Sequence, residues 1–215
     1  PEEPQNTRTR HRHPPDQPRA ALVNATLEVI ARVGVAAATV RAIAAEADVT
    51  PGLIRHYFAG KDELLTAAYD QHMAQLNDLS SHGLEGTSAA ARLASFIQKT
   101  LTPPVTHPRA LRLWAGFMQL LQTDPAMREV HARRYRQYRQ MLETLIDDAL
   151  IEAGVEFDRS ELAAQATACN ALLDGLWIEG SAQPDTLNDM DVSDLALRAV
   201  ATLLGIAPDT LENPT

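Results

Sequence analysis

Apolar residues recur along this chain at intervals of three and four, and no stretch alternates with the period of two that a half-buried strand requires. The pattern predicts a first helix over 18–33, with Leu22, Val29, Ile30 and Val33 on one stripe and Gly34 ending it. Two short helices follow. Thr39 is placed to cap one that carries Val40, Ile43, Ala44 and Ala47 on a single face; Thr50 is placed to cap the next, which opens at Pro51 and reaches about Phe58. Gly60 reads as the stop of that helix, and Asp62 and Glu63 favour the start of a long fourth one over 62–79, striped by Leu64, Leu65, Ala68, Met73 and Leu76. Five further segments, near 88–102, 108–122, 125–153, 160–181 and 191–205, keep helical periodicity. The breaks between segments fall at Gly83 to Gly86, Pro103 with Pro104, Asp124 before Pro125, Gly154, and Pro184. The expected fold is all-α, with about nine helices and no internal repeat.

The stretch TVRAIAAEADVTPGLIRHYFAGKDELL, Thr39 to Leu65, concentrates the functional information. It encodes two short helices around a tight turn. In the second, Leu53, Ile54 and Phe58 can pack inward, which leaves Pro51, Gly52, Arg55, His56 and Tyr57 on or beside the outer face. An exposed arginine on a short helix suits the major groove, where a guanidinium pairs bidentately with guanine O6 and N7. Lys61, beside the next helix N-terminus, can meet a phosphate together with free N–H groups.

The preceding helix PRAALVNATLEVIARVGVAAATV, this motif with its HYF-x-x-K segment, and ALLDGLWIEG near the C-terminus resemble the TetR family of transcriptional regulators, in particular its choline-responsive BetI branch. Asp48 departs from the family pattern, since glycine usually holds that turn position. Aspartate tolerates the left-handed conformation, so the turn is expected to survive. The resemblance implies that Arg41 and Arg55 approach bases. It also implies that Pro51, Gly52 and His56 line the groove, and that Thr39, Thr50, Tyr57 and Lys61 lie at the DNA surface, mainly toward phosphates. A double-stranded DNA operator is the implied partner.

Charge is distributed to match. Of the net −9, residues 1–65 contribute nothing, with eight basic and eight acidic groups; residues 66–215 carry eleven basic and twenty acidic. The acidic part is repelled by DNA, so only the N-terminal end is expected to approach a duplex. Residues 1–17, proline-rich and containing RTRHRH, read as a flexible basic arm; 18–65 as the DNA-binding domain; 66–207 as a ligand-binding and dimerisation domain; and 208–215 as a tail. No run approaches the roughly 20 apolar residues that span a bilayer, and the start lacks a signal-peptide core, so a cytoplasmic protein is expected. Cys169 is the sole cysteine and reads as a small buried hydrophobe.

Catalytic chemistry finds no inventory. There is no phosphate-binding glycine loop, nucleophile elbow or HExxH spacing, and no histidine lies four residues from another, so no catalytic residue, metal site or cofactor is expected. Arg128, Arg133, Arg134, Arg136 and Arg139, interleaved with Tyr135 and Tyr138, read as a surface helix paired to Glu129, Glu143 and Asp147. Ligand binding is expected instead. Trp114, Phe117 and Met118 share one helix face, and Asn170, Asp174 and Trp177 share another, where a carboxylate among apolar neighbours needs a donor or a cation. Asp174 with the two tryptophans would suit a cationic amine, although 5% aromatic content is too low to presume a full cage. The alanine-rich helix with Gly175, Gly180 and Ser181, and the last helix with Leu195, Leu197, Val200, Leu203 and Leu204, suit either a homodimer interface or intrachain packing; the resemblance favours the dimer. The reading is a ligand-responsive DNA-binding regulator, most simply a repressor released by a small molecule. The alternative is an all-α interaction protein or enzyme whose helix-turn-helix is incidental.

Overall fold

The computed structural model describes residues 16–182 and 191–212, and every regular element among them is helical. Residues 1–15 of the basic arm, the break at Pro184 and the last three residues of the tail lie outside the described residues; the arm's last two positions, 16 and 17, are already helical. The chain divides into two compact units at Ala68/Tyr69, each with its own packing.

The first unit contains α1 (Asp16–Val33), α2 (Val40–Glu46), α3 (Pro51–Tyr57) and the start of α4 (Lys61–Ser81). Its core is Leu22, Val29 and Ile30 of α1, Ile43 and Ala44 of α2, Ile54 and Phe58 at α3, and Leu64 and Leu65 of α4, all buried. Val33, predicted on the buried stripe, is instead 51% exposed at the last position of α1. Gly34 then takes a φ of +81° and its N–H donates to the Ile30 carbonyl, a reversal that needs no Cβ. Gly60 does not stop α3: Phe58 already closes that helix in extended backbone, and Gly60 opens α4, its carbonyl accepting from Leu64 N–H.

The second unit continues α4 and adds α5 (Ala89–Thr100), α6 (Pro108–Met118), α7 (Pro125–Glu152), α8 (Leu162–Ala182), α9 (Val192–Leu204) and α10 (Asp209–Glu212), with single 3-10 turns at 120–122 and 159–161. Caps fix the starts. Ser88 accepts from Ala91 N–H, Asp124 from Ala126 and Met127, and Asp191 from Ser193 and Asp194. Leu93, Phe96 and Ile97 of α5, Leu142, Ile146 and Leu150 of α7, Cys169 and Leu173 of α8, and Leu197 and Val200 of α9 fill one continuous core. Leu197, Val200 and Leu204 are therefore spent inside the chain, and Leu203, 48% exposed, is the last-helix leucine left outward. The segment read as a tail from residue 208 is partly ordered: α10 buries Leu211 completely against α5 and α9, because an apolar side chain beside an open core edge gains more by folding back.

Candidate DNA-reading head and effector cavity

The turn of the head is built by Asp48, which adopts φ +53° and lets Val49 N–H return to the Ala44 carbonyl. Thr39 caps α2 as expected, its hydroxyl accepting from Ala42 N–H at 3.1 Å. Thr50 occupies the corresponding position at α3, in extended backbone before Pro51 at the first helical position, but makes no side-chain cap bond. The consequence is a hydroxyl not consumed by the fold.

Burial separates the faces of α3 as the sequence requires. Ile54 is buried and Leu53 half-buried, whereas Thr39, Arg41, Thr50, Pro51, Gly52, Arg55 and His56 are exposed and Tyr57 and Lys61 half-buried. Among the described residues neither Arg41 nor Arg55 has an ion-pair partner, in contrast to Arg32, which is bound to Glu46, and Arg19, which lies over the Phe58 ring at 4.9 Å. A Cβ on Gly52 would meet only Thr50 Oγ1 at 3.8 Å, so nothing inside the chain demands glycine there. Arg41 on α2, Thr50 and Gly52 at the start of α3 and Arg55 in its last turn are thus exposed and carry no internal duty.

In the second unit, α4, α5, α6, α7 and α8 enclose a cavity with about 510 Å³ of space between its walls, part of it open to solvent. Trp114, Asn170, Asp174 and Trp177 line it, as the sequence indicated. Phe117 and Met118 do not. Phe117 is fully buried with its ring 5.0 Å from Tyr69, and it supports the wall from behind. Tyr135 and Tyr138 complete the lining, so both tryptophans and two of the four tyrosines of the chain face one space despite the low aromatic content.

The two indoles meet edge to face, 5.7 Å apart at 83°, and each N–H is held: Trp177 donates to the Val105 carbonyl at 3.0 Å, Trp114 to the Tyr135 hydroxyl at 3.4 Å. Tyr138 bonds Thr100 at 3.3 Å. Asn170 Nδ2 donates to Asp174 Oδ2 at 3.1 Å. Burial pushes the Asp174 carboxyl up to about 6, against the opposing pull of that hydrogen bond and of Arg139. The same burial, reinforced by the Asp174 charge, pushes the Tyr135 hydroxyl up to about 12. Asp174 has no ion-pair partner among the described residues, so it is a desolvated carboxylate facing aromatic surface.

Two of the α7 arginines serve this wall rather than Glu129, Glu143 or Asp147, while Arg128 donates to the Leu121 and Gln122 carbonyls. Arg134, a lining residue, and Arg133 both bind Asp70 of α4, at 2.6 and 2.8 Å, while Asp147 is taken by Arg159. Burial alone would raise the Asp70 carboxyl, yet the two guanidiniums together hold it below its ordinary range. Tyr69 Oη and His131 Nδ1, 2.6 Å apart, fasten the same two helices beside this pair, and the His131 ring lies 4.3 Å from that of Tyr135, tilted by 36°.

A regulator's head on one unit and a lined cavity in the other agree with what comparison finds. Residues 22–68 match the model of the bacterial regulatory proteins of the tetR family, and residues 89–205 match that of the BetI-type transcriptional repressor C-terminal domain. The chain belongs to the TetR family.

This TetR-family chain is a DNA-binding transcriptional regulator of the BetI repressor type. It is 30% identical over 187 residues to the transcriptional regulator BetI 2 of Chromohalobacter salexigens, covering 83% of this chain and 84% of that protein. With the BetI of Vibrio atlanticus it shares 31% over 179 residues, 81% and 85% of the two chains. A transcriptional regulator structure from Pseudomonas aeruginosa PAO1 superposes with a TM-score of 0.80 at 30% identity, covering 93% and 96%. A regulator from Saccharomonospora viridis, solved in complex with choline, has the same fold, with a TM-score of 0.69 at 20% identity over 93% and 97%. No helix among the described residues is long and apolar enough to cross a membrane, and no cluster of three or more candidate metal ligands occurs among them.

Sequence reasoning missed Tyr135, Tyr138 and Arg134 as cavity residues of this TetR-family protein, and it missed the contribution of α4 through Met73, Leu76, Asn77 and Ser80. The available signal was the pair of tyrosines three residues apart within an arginine-rich helix: aromatic rings at that spacing mark a buried stripe, which a solvated surface helix does not need.

Proposed function

We propose that the protein represses transcription as a homodimer in the cytoplasm and is released from its operator by a small organic cation bound in the cavity. In the head, Arg41 and Arg55 reach base edges; Pro51, Gly52 and His56 line the groove; and Thr39, Thr50, Tyr57 and Lys61 approach the backbone. The unpaired guanidiniums, the unspent Thr50 hydroxyl and the open space around Gly52 support this division. A homodimer, paired through α8 and α9, would present two heads to successive major grooves. Gly175 and Gly180 support it, since a Cβ on either would meet nothing within 4 Å and a second copy could approach closely.

The observation that carries the effector reading is Asp174: a half-buried, desolvated carboxylate without an ion-pair partner among the described residues, beside Trp114, Tyr135, Tyr138 and Trp177. A cation would restore the solvation lost by burial and gain the quadrupole attraction of the rings. The choline found in the Saccharomonospora viridis regulator has this chemistry. Because α4 supplies cavity wall and also begins in the head, a ligand that prefers one placement of α4 biases the heads toward or away from operator spacing. Fluorescence anisotropy of labelled operator DNA, titrated with choline and with the uncharged isostere 3,3-dimethyl-1-butanol, tests this. Release by the cation alone is expected; equal release by the two compounds, or by neither, would remove the cation reading.

A further inference from the structure

The cavity has a closed floor and a thin side. Thr100, Val105, Asn170 and Trp177, from α5, the loop after it and α8, are buried lining residues, whereas Asn77, Arg134 and Tyr138, where α4 faces α7, are half-buried. These same three residues also line a second groove, with about 580 Å³ of space between its walls, which Ala74 and Ser81 of α4 and Met141 of α7 help to form. One layer of side chains therefore separates groove from cavity. Polar bonds hold that layer: Arg134 Nε donates to Asp70 Oδ1 at 2.6 Å and a terminal nitrogen of the same guanidinium donates to Gln137 Oε1 at 3.1 Å, while Asn77 Nδ2 donates to the Arg134 carbonyl at 3.2 Å. Partly exposed ion pairs are weak, because water screens them and competes for the same atoms. Parting α7 from α5 or α8 would instead expose Leu142, Ile146 and Leu173, all fully buried, and parting α6 from α8 would break the edge-to-face contact of the two indoles. The α4–α7 seam is the side of the cavity that opens at least cost.

We propose that the effector reaches the cavity through the α4–α7 groove, and that the Arg134 guanidinium is the bar across this entrance, held shut by Asp70 and freed when that ion pair breaks. Asp70 lines neither space, so it acts on entry only through the arginine it holds. The proposal takes the cavity to be the effector site and adds how that site is reached; it does not depend on the ligand's charge.

Trp114 and Trp177 are the chain's two tryptophans and both face the cavity, so quenching of intrinsic fluorescence by acrylamide, a small neutral probe, reads entry in the full-length protein. Asp70→Ala is expected to raise the bimolecular quenching constant about two- to fivefold, the range that loss of weak ion pairs allows. Ala74→Phe, and independently Ser81→Phe, each put a ring into the groove outside the cavity; either should lower quenching below the wild-type value and abolish the rise when combined with Asp70→Ala. Unchanged quenching in Asp70→Ala overturns the proposal. So does a rise that survives in both double variants, because the probe then enters by another route. Stopped-flow tryptophan fluorescence with choline follows the effector reading itself: in Asp70→Ala the association and dissociation rates should rise by the same factor with Kd unchanged, and a shifted Kd at an unchanged association rate would also overturn the gate. Failure of choline to bind the wild-type protein removes the cation reading alone, and the acrylamide measurement still decides the route.

Discussion

Replacing Asp174 by asparagine should make the ligand-free protein more stable while weakening its response to cations, a combination that few other roles for this residue would produce. The carboxyl is pushed from 3.8 up to about 6 by burial, so in its charged form it opposes folding. At 1.36 kcal/mol per unit, the penalty is about 3 kcal/mol when the pH is well above 6. Asparagine has nearly the same shape, carries no charge and can still accept the Asn170 hydrogen bond, so most of that penalty should be recovered. The sign follows from proton binding. The native state holds a proton on Asp174 more tightly than the unfolded chain does, so the penalty is full above the native value, shrinks as pH falls through about 6, and is gone below the unfolded 3.8. Urea unfolding of both proteins at equal concentration, so that dimerisation is matched, should show a gap of about 2 to 3 kcal/mol at pH 7.5 closing toward zero at pH 4. Cation-induced operator release at pH 7.5 should meanwhile require about 10- to 100-fold more ligand in the variant. A variant less stable than wild type at pH 7.5, or a gap that does not change with pH, would refute the desolvated-carboxylate argument.

Arg55→Ala should cost about 1 to 3 kcal/mol on the preferred operator and relax base preference there, whereas Lys61→Ala should weaken all sequences alike and reduce the salt slope by about one; anisotropy at several salt concentrations separates the two. The protein should sediment as a dimer at micromolar concentration without DNA, and a monomer would contradict the proposed assembly. Gly86→Ala should destabilise by about 1 to 3 kcal/mol in urea, since φ is +102° and the new Cβ would lie 2.2 Å from that of Ala91; an unchanged midpoint would show that this loop yields freely. Asp48→Gly should be neutral or slightly stabilising and Asp48→Ala should cost about 1 kcal/mol, because only the left-handed φ of +53° is at stake.

The parts of this protein that could be read from its residues are those whose causes lie within one helical turn. Thr39 bonds three residues on, Pro51 fixes a helix start, and Asp48 bends a turn through its own φ. Even here Thr50 and Gly60 show the limit: Thr50 holds the cap position without a side-chain cap bond, and α3 already closes at Phe58, before Gly60. Apolar periodicity also disclosed which faces of α3 and α4 point inward, because burial of the stripe dominates the energy of each helix. Tertiary structure alone decided what each face meets. Trp114, Phe117 and Met118 share a side of α6 by spacing, yet Phe117 goes to Tyr69, 48 positions earlier, and only Trp114 reaches the cavity. Arg133 and Arg134 had acidic residues nearby on their own helix and took Asp70 instead, more than 60 residues away, because packing of α4 on α7 brings that carboxylate within 3 Å. The cavity is of the same kind. Asp174 was visible as an acidic residue among apolar ones, but its desolvation and its aromatic neighbours from α6 and α7 arise only when five helices close around one space.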